Sequence, residues 1–541
     1  MTTADPAAPS SSSSSSSSTN HPAHALHDAL ALLSDPTATP ESLSAALQTI
    51  HLALEGRNAR DVTAFMQTYD VTPAPFVALL GRATTEDAVG MVARIVERLL
   101  VPLTFGEVVR DYQPLVLQGL SSPSGSARKL ALAALEKAAG DPKDVDALVH
   151  SEFFAPLLEC IAFPDVDVAL RVQALIFELA LTPPGLASLT DPSTVALLTR
   201  LTHHTTETTK FRVYDLCVRI ASTSPQALDA CLRAGVLKDL LEELQVEGDV
   251  LGRLNVVQVF TRFLDTDPGV TFMGNTPVLS QLASLLDGEM EEIDDVLVGC
   301  AVVKFFAEMA AKRPSEFLTF ATSHPLLATL TRHLTPSSPT QTALPLATLT
   351  LLANLGATPA GLLHLHREHA FLDHYLALAP PATGELKLAV LQAASCLVGC
   401  TPPPDADAGV LTDLTHAIFL RVLAASPEAP PPHLARLLPY ARSAFVDQRV
   451  AACALFAAAA AHAWGVTEAN ADAEFVRWLL ERQGEAETVV KEWKYAIIKR
   501  LNTHPLAGQL LAPDLRARFG TYIAQGPFYR AVEPVVAFGG A

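Results

Sequence analysis

Residues 208–264 read TTKFRVYDLCVRIASTSPQALDACLRAGVLKDLLEELQVEGDVLGRLNVVQVFTRFL. One unit runs through this stretch and begins again. Apolar residues at helical spacing mark a long helix over Lys210–Ala221, and a Ser-Pro step stops it. Shorter helices follow over Gln226–Leu232 and Val236–Leu244, separated by Ala-Gly. The cycle restarts at Asp249 and carries on through TDPGVTFMGNTPVLSQLASLL, residues 266–286. Arg171, Arg212 and Arg253 fix the phase: each is 41 residues from the next and precedes Val172, Val213 or Leu254. Helix-only content at a period of about 40 residues is the signature of stacked helical repeats. The sequence predicts an all-α fold, a right-handed α-solenoid of armadillo/HEAT-like repeats.

Outward from this stretch the same rhythm continues. Long helices are expected over Ser126–Ala139, Ala169–Leu181, Val296–Ala311, Thr342–Leu355 and Glu385–Val398. Four regions follow: a Ser-rich disordered tail over 1–22, irregular N-terminal helical repeats over 23–120, regular repeats over 121–400, and C-terminal helical repeats with an extended tail over 401–541. Pro-rich connectors lie at Pro402–Pro404 and Pro430–Pro432. The last region holds all three tryptophans, with helices expected over Gln448–Ala463, Ala473–Glu481 and Glu487–Leu501.

At 541 residues the chain is longer than one core needs, and stacking evades that limit because each repeat buries its face on its neighbours. Nearly half the residues (49 %) are hydrophobic, yet aromatics are only 6 %; Ala and Leu, strong helix formers, make up the rest. A net charge of −19 argues against nucleic acid, which needs a basic footprint. Seven cysteines with no CxxC pair point to a reducing compartment, and no apolar signal segment opens the chain; a cytoplasmic or nuclear location is expected. The uncharged segments Leu334–His366 and Val450–Thr467 read as buried repeat helices and not membrane spans.

No phosphate loop, HExxH, GxSxG or dinucleotide fingerprint occurs, so no catalytic residue and no cofactor is expected. His364, His366, His369 and His374 lack a Cys or carboxylate at ligand spacing, and no metal is expected. The acidic loop Asp287–Asp295 and the ridge of Glu242, Glu243, Glu247 and Asp249 read as solvated faces or as contacts for a basic partner. Setting the long helices in register places Glu178, Asp215, Arg219, Phe260 and Phe306 on the groove side, the candidate partner-binding set. Asp215 and Arg219 are also spaced to pair with each other, and the two phenylalanines to serve the core.

The segment FRVYDLCVRIASTSPQALDACLRAGVL (Phe211–Leu237) resembles the central region of the 26S proteasome non-ATPase regulatory subunit 5 family. The likeness recurs in TTEDAVGMVARIVERLL, VVKFFAEMA, GELKLAVLQAASCLV, KYAIIKRL and RFGTYIAQGPFY, between Thr84 and Tyr529. The resemblance implies a monomeric, non-catalytic chaperone for assembly of the proteasome base. Such a chaperone holds the C-terminal domain of an ATPase subunit and keeps immature ATPase modules from the core particle. The serine tail and the Pro-rich loops depart from the family pattern. The alternative is an armadillo-type transport adaptor or general scaffold. A transport adaptor needs a Trp–Asn ladder in its groove, and here the tryptophans are confined to Trp464, Trp478 and Trp493.

Overall fold

The computed structural model describes residues 22–529, except residues 34, 36, 81, 83–84, 247, 289–291, 336–341, 369, 402–407, 425–431 and 483–484. Every regular element among the described residues is helical. They form two compact units, residues 1–220 with 229–236 and residues 221–228 with 237–541. Each is a stack of α-helical repeats, as the sequence predicts.

In the first unit the principal helices are α1 (Pro40–Leu54), α2 (Glu86–Leu100), α3 (Gly125–Leu135), α4 (Val166–Ala180) and α5 (Glu207–Ala221). α2 packs on α1, α3 on α2 and α4 on α3. Thr85, Ser124 and Asp165 start α2, α3 and α4, each accepting a hydrogen bond from a backbone N–H of the first turn. The expected helix over Ser126–Ala139 is shorter than predicted: α3 stops at Leu135 and Glu136–Gly140 continues as a tighter 3₁₀ turn. The phase-setting arginines reach backwards along the chain. Arg171 pairs with Glu136, and Arg212 donates to the carbonyls of Ile161 and Phe163 (3.0 and 2.8 Å). Gln173 on α4 donates to the Arg212 carbonyl at 2.7 Å. The 41-residue rhythm thus records repeat-to-repeat bonds as well as packing.

In the second unit the long helices are α6 (Val250–Thr261), α7 (Ile293–Lys312), α8 (Ala343–Gly356), α9 (Gly384–Val398), α10 (Val446–Ala459), α11 (Thr488–Thr503) and α12 (Pro513–Gln525). Each packs on the next in sequence. Short helices connect them, and the turn into several of these is built on Thr-x-x-Gly. Thr266 and Thr358 accept from the N–H of Gly269 and Gly361, as Thr182 does from Gly185 in the first unit. The expected helix Gln448–Ala463 is in fact broken: α10 ends at Ala459, and the chain turns by 115° into Ala463–Ala471. Among the described residues no single helix is long and apolar enough to cross a membrane.

The C-terminal repeats hold a group of histidines against aromatic rings. His416 and His462 both stack on Trp464, with centroids 4.6 and 5.4 Å away. His462 Nε2 lies 2.6 Å from the Val398 carbonyl. Burial pushes the pKa of His416, His462 and His504 down; nearby Glu468 opposes the shift for His416, and the Val398 carbonyl does so for His462. A histidine whose folded pKa is depressed is protonated first in the unfolded chain. The stability it supports is therefore present above the unfolded pKa of about 6.5 and is lost as pH falls through the folded value. Acidification from about pH 7.5 to 5.5 is expected to cost the second unit on the order of 1–2 kcal/mol. Urea midpoints at the two pH values check this, and His416→Phe, which keeps the ring stack, should flatten the dependence.

Candidate functional site

The second unit's most open concavity is a groove of about 550 Å³ between α6 and α7. Helical spacing explains its lining. On α6 every third or fourth residue faces out: Leu254, Gln258 and Arg262 follow one stripe, while Val256, Val257, Val259 and Phe260 turn inward. On α7 the stripe is Ala301, Lys304 and Glu308, over a buried Val302, Val303, Phe305 and Phe306. The floor is therefore aliphatic and aromatic, and the walls carry the charge. At the C-terminal end Lys312 bridges Asp265 (2.8 Å) and Glu308 (3.0 Å), hydrogen bonds that raise its pKa. Arg313 beside it donates to the Leu264 carbonyl and to Asp267, tying the two helix ends together. Lys304 makes no ion pair with a described residue, and its charge is offered to the groove. Nothing here forms a nucleophile–base pair. The surface can recognise a polypeptide by shape, apolar contact and charge.

The model of the family described as Proteasome non-ATPase 26S subunit matches residues 28–541. The chain belongs to that family. It is 25 % identical over 475 residues to the 26S proteasome non-ATPase regulatory subunit 5 of Bos taurus, covering 87 % of this chain and 90 % of that one. It is 25 % identical over 513 residues to the Homo sapiens protein of the same name, covering 94 % and 97 %. Among solved structures, an engineered protein aligns over 80 % of this chain and 98 % of its own at 15 % identity with a TM-score of 0.35. A designed armadillo repeat protein aligns over 45 % and 99 % at 20 % identity with a TM-score of 0.27. Those scores carry no weight for the fold, which rests on the chain's own helix order.

In this family member the residues placed by register distribute unevenly. Phe260 and Phe306 are fully buried and cannot meet a partner; they are core residues beneath the groove, with Phe306 stacked on Phe320 at 5.6 Å. The expectation that they face the groove is corrected. Two positions on from Phe260 and two before Phe306, Arg262 and Lys304 take that place. The signal was present: polar residues at 258 and 262, and at 304 and 308, have the i, i+4 spacing of a solvent face, whereas the phenylalanines sit among valines. Glu178 is exposed on α4, and Asp215 and Arg219 are half-buried on α5, all in the first unit. The Arg219 guanidinium lies 4.7 Å from the Phe177 ring centroid, a cation–π contact that ties neighbouring repeats.

Of the histidine group, His369 lies outside the described residues; among those described no set of three His, Cys, Asp or Glu could hold a metal ion. In the acidic loop, residues 289–291 also lie outside. Asp287 accepts from Thr329 at 3.2 Å, while Asp294 and Asp295 occupy the first turn of α7. Glu247 of the acidic ridge lies outside the described residues; Asp249 caps α6 and Glu242 lies 3.5 Å from Lys238.

Proposed function

We propose that this protein is a non-catalytic chaperone in assembly of the 26S proteasome regulatory particle base. It binds the C-terminal domain of an ATPase subunit and keeps immature ATPase modules from docking on the core particle. The observation that carries this reading is the family match, which runs from residue 28 to 541, so that both units belong to it. The chemistry of the α6–α7 groove supports it. Binding energy spread over an exposed, charge-lined surface holds a client without a reaction, and it is released when ring closure or docking competes for the same client surface. Residence is cytoplasmic, with the nucleus as a second compartment, and the protein acts as a monomer in a transient complex. Affinity purification of the tagged protein from its own cells tests the reading. Recovery of base ATPases without core-particle subunits is the expected result. Recovery of basic localisation peptides and transport receptors would instead favour an armadillo-type adaptor, and recovery of the complete proteasome would overturn the chaperone role.

A further inference from the structure

The α6–α7 groove has two ends of different character. Where the two helices begin, Leu251, Ile293 and Leu297 are 73, 75 and 48 % exposed. Glu292, Asp294 and Asp295, all exposed, stand around the isoleucine. Carboxylates at a helix start are ordinary, because they complement the helix dipole. The dipole does not explain two leucines and an isoleucine left in water beside them, on the same side of two packed helices. Further along, the apolar stripe gives way to Gln258, then to Arg262, Lys304 and Lys312. The two carboxylates there, Asp265 and Glu308, are already held by Lys312. The groove thus runs from acidic, through apolar, to basic.

We propose that it binds one client segment of matching order: basic residues at one end, apolar side chains in the middle, carboxylates at the other. The basic end meets Glu292, Asp294 and Asp295. The apolar middle covers Leu251, Ile293 and Leu297, and the acidic end lies against Arg262 and Lys304. From Ile293 to Glu308 the stripe is about 22 Å long at 1.5 Å per helical residue, the length of a four-turn helix. This order sets both partner and direction, since a reversed segment would place like charges together at each end. The inference rests on the chaperone reading and supplies the chemistry of the client surface.

The test uses the full-length protein against recombinant C-terminal domains of the base ATPases, by surface plasmon resonance. Leu251→Asp with Ile293→Asp removes the apolar centre; both sit in first turns, where an added carboxylate favours the helix, so the fold is retained. At least a tenfold loss of affinity is expected. Lys304→Glu should also weaken binding, with an effect that shrinks in high salt. Leu170→Asp, an equally exposed site on α4, should bind within twofold of the unsubstituted protein. A photo-crosslinker at Ala301 should capture a client segment with the stated charge order. If the protein holds an ATPase domain but the groove variants bind it equally, or the captured segment lacks that order, the groove assignment is overturned and the chaperone reading stands. If no ATPase domain binds, both fall together.

Discussion

Gly361→Ala lowers the stability of the second unit by about 3 kcal/mol, the upper range for forcing an atom into a packed site. The glycine follows Thr358 at the sharp step from α8 into Pro359–Arg367, where the chain turns by 117°. A Cβ built there would stand 2.0 Å from the Leu355 carbonyl oxygen and 2.8 Å from Thr358 Oγ1. The first obstacle is backbone at the end of α8, which cannot rotate away like the tip of a side chain. Relief must come from widening the turn, which pulls the Thr358 cap from the Gly361 N–H (3.1 Å). Gly185 and Gly465 meet the same obstacle, with carbonyl oxygens of Leu179 and Ala459 at 1.9 Å. Gly274 supplies the contrast. It lies in the short helix Asp267–Asn275 with no atom within 4 Å of its would-be Cβ, so Gly274→Ala is expected to leave stability unchanged or slightly raised. Urea unfolding of the three proteins reads the difference. Equal midpoints for Gly361→Ala and Gly274→Ala would show that the turn is not close-packed. Each repeat leans on its neighbours alone, so hydrogen exchange in the Gly361→Ala protein should accelerate first around α8 and α9.

Much of this architecture was legible because helices announce themselves by period. Ala, Leu and Val at 3.6-residue spacing, stopped by Ser-Pro and Thr-Pro steps, located α5 to α9 to within a few residues at most ends. The stop signals failed where a break carries no proline. Nothing in Ala460-Ala461-His462 marks the end of α10, and the turn there depends on Gly465 admitting a carbonyl oxygen at close range. Thr-x-x-Gly recurs at Thr182, Thr266 and Thr358, and was readable as a turn signature without any sign that its glycine faces a carbonyl. The groove was less legible than the helices. A register shift of two residues rotates a helical position by about 200°, enough to move it from core to surface. That is the distance separating Phe260 from Arg262 and Phe306 from Lys304. Periodicity aligned the repeats well and the faces poorly. The exposed isoleucine and leucines of α6 and α7 could not be told from core residues by composition, because apolar residues in first turns are buried in other repeats.

Glu468→Ala is expected to destabilise the C-terminal repeats by about 3–5 kcal/mol, the range for breaking one side of a buried ionisable pair. Glu468 is only 5 % exposed and lies in the helix Ala463–Ala471. Its carboxylate accepts from the His433 backbone N–H at 3.0 Å and faces His433 Nδ1 at 2.7 Å. One turn later Asp472 accepts from the N–H of Ala435 (2.7 Å), and its other oxygen caps the next helix through Glu474 and Phe475. Two acids on one helix thus fix the entry of the segment 433–437, which precedes the short helix packed against α10. Removing the Glu468 side chain strands both a backbone N–H and an imidazole nitrogen in a site closed to water, and a buried donor without a partner costs more than the bond itself contributes. Glu468→Gln keeps an acceptor for one of the two donors and should lose only about 1–2 kcal/mol. The ordering Ala worse than Gln separates loss of hydrogen bonding from mere loss of volume, since Gln fills the same space. It is read from urea midpoints and from exchange protection at residues 433–437. An Ala variant within about 1 kcal/mol of the unsubstituted protein would mean that water or a rearranged His433 replaces the carboxylate, and that the segment is anchored by Asp472 alone.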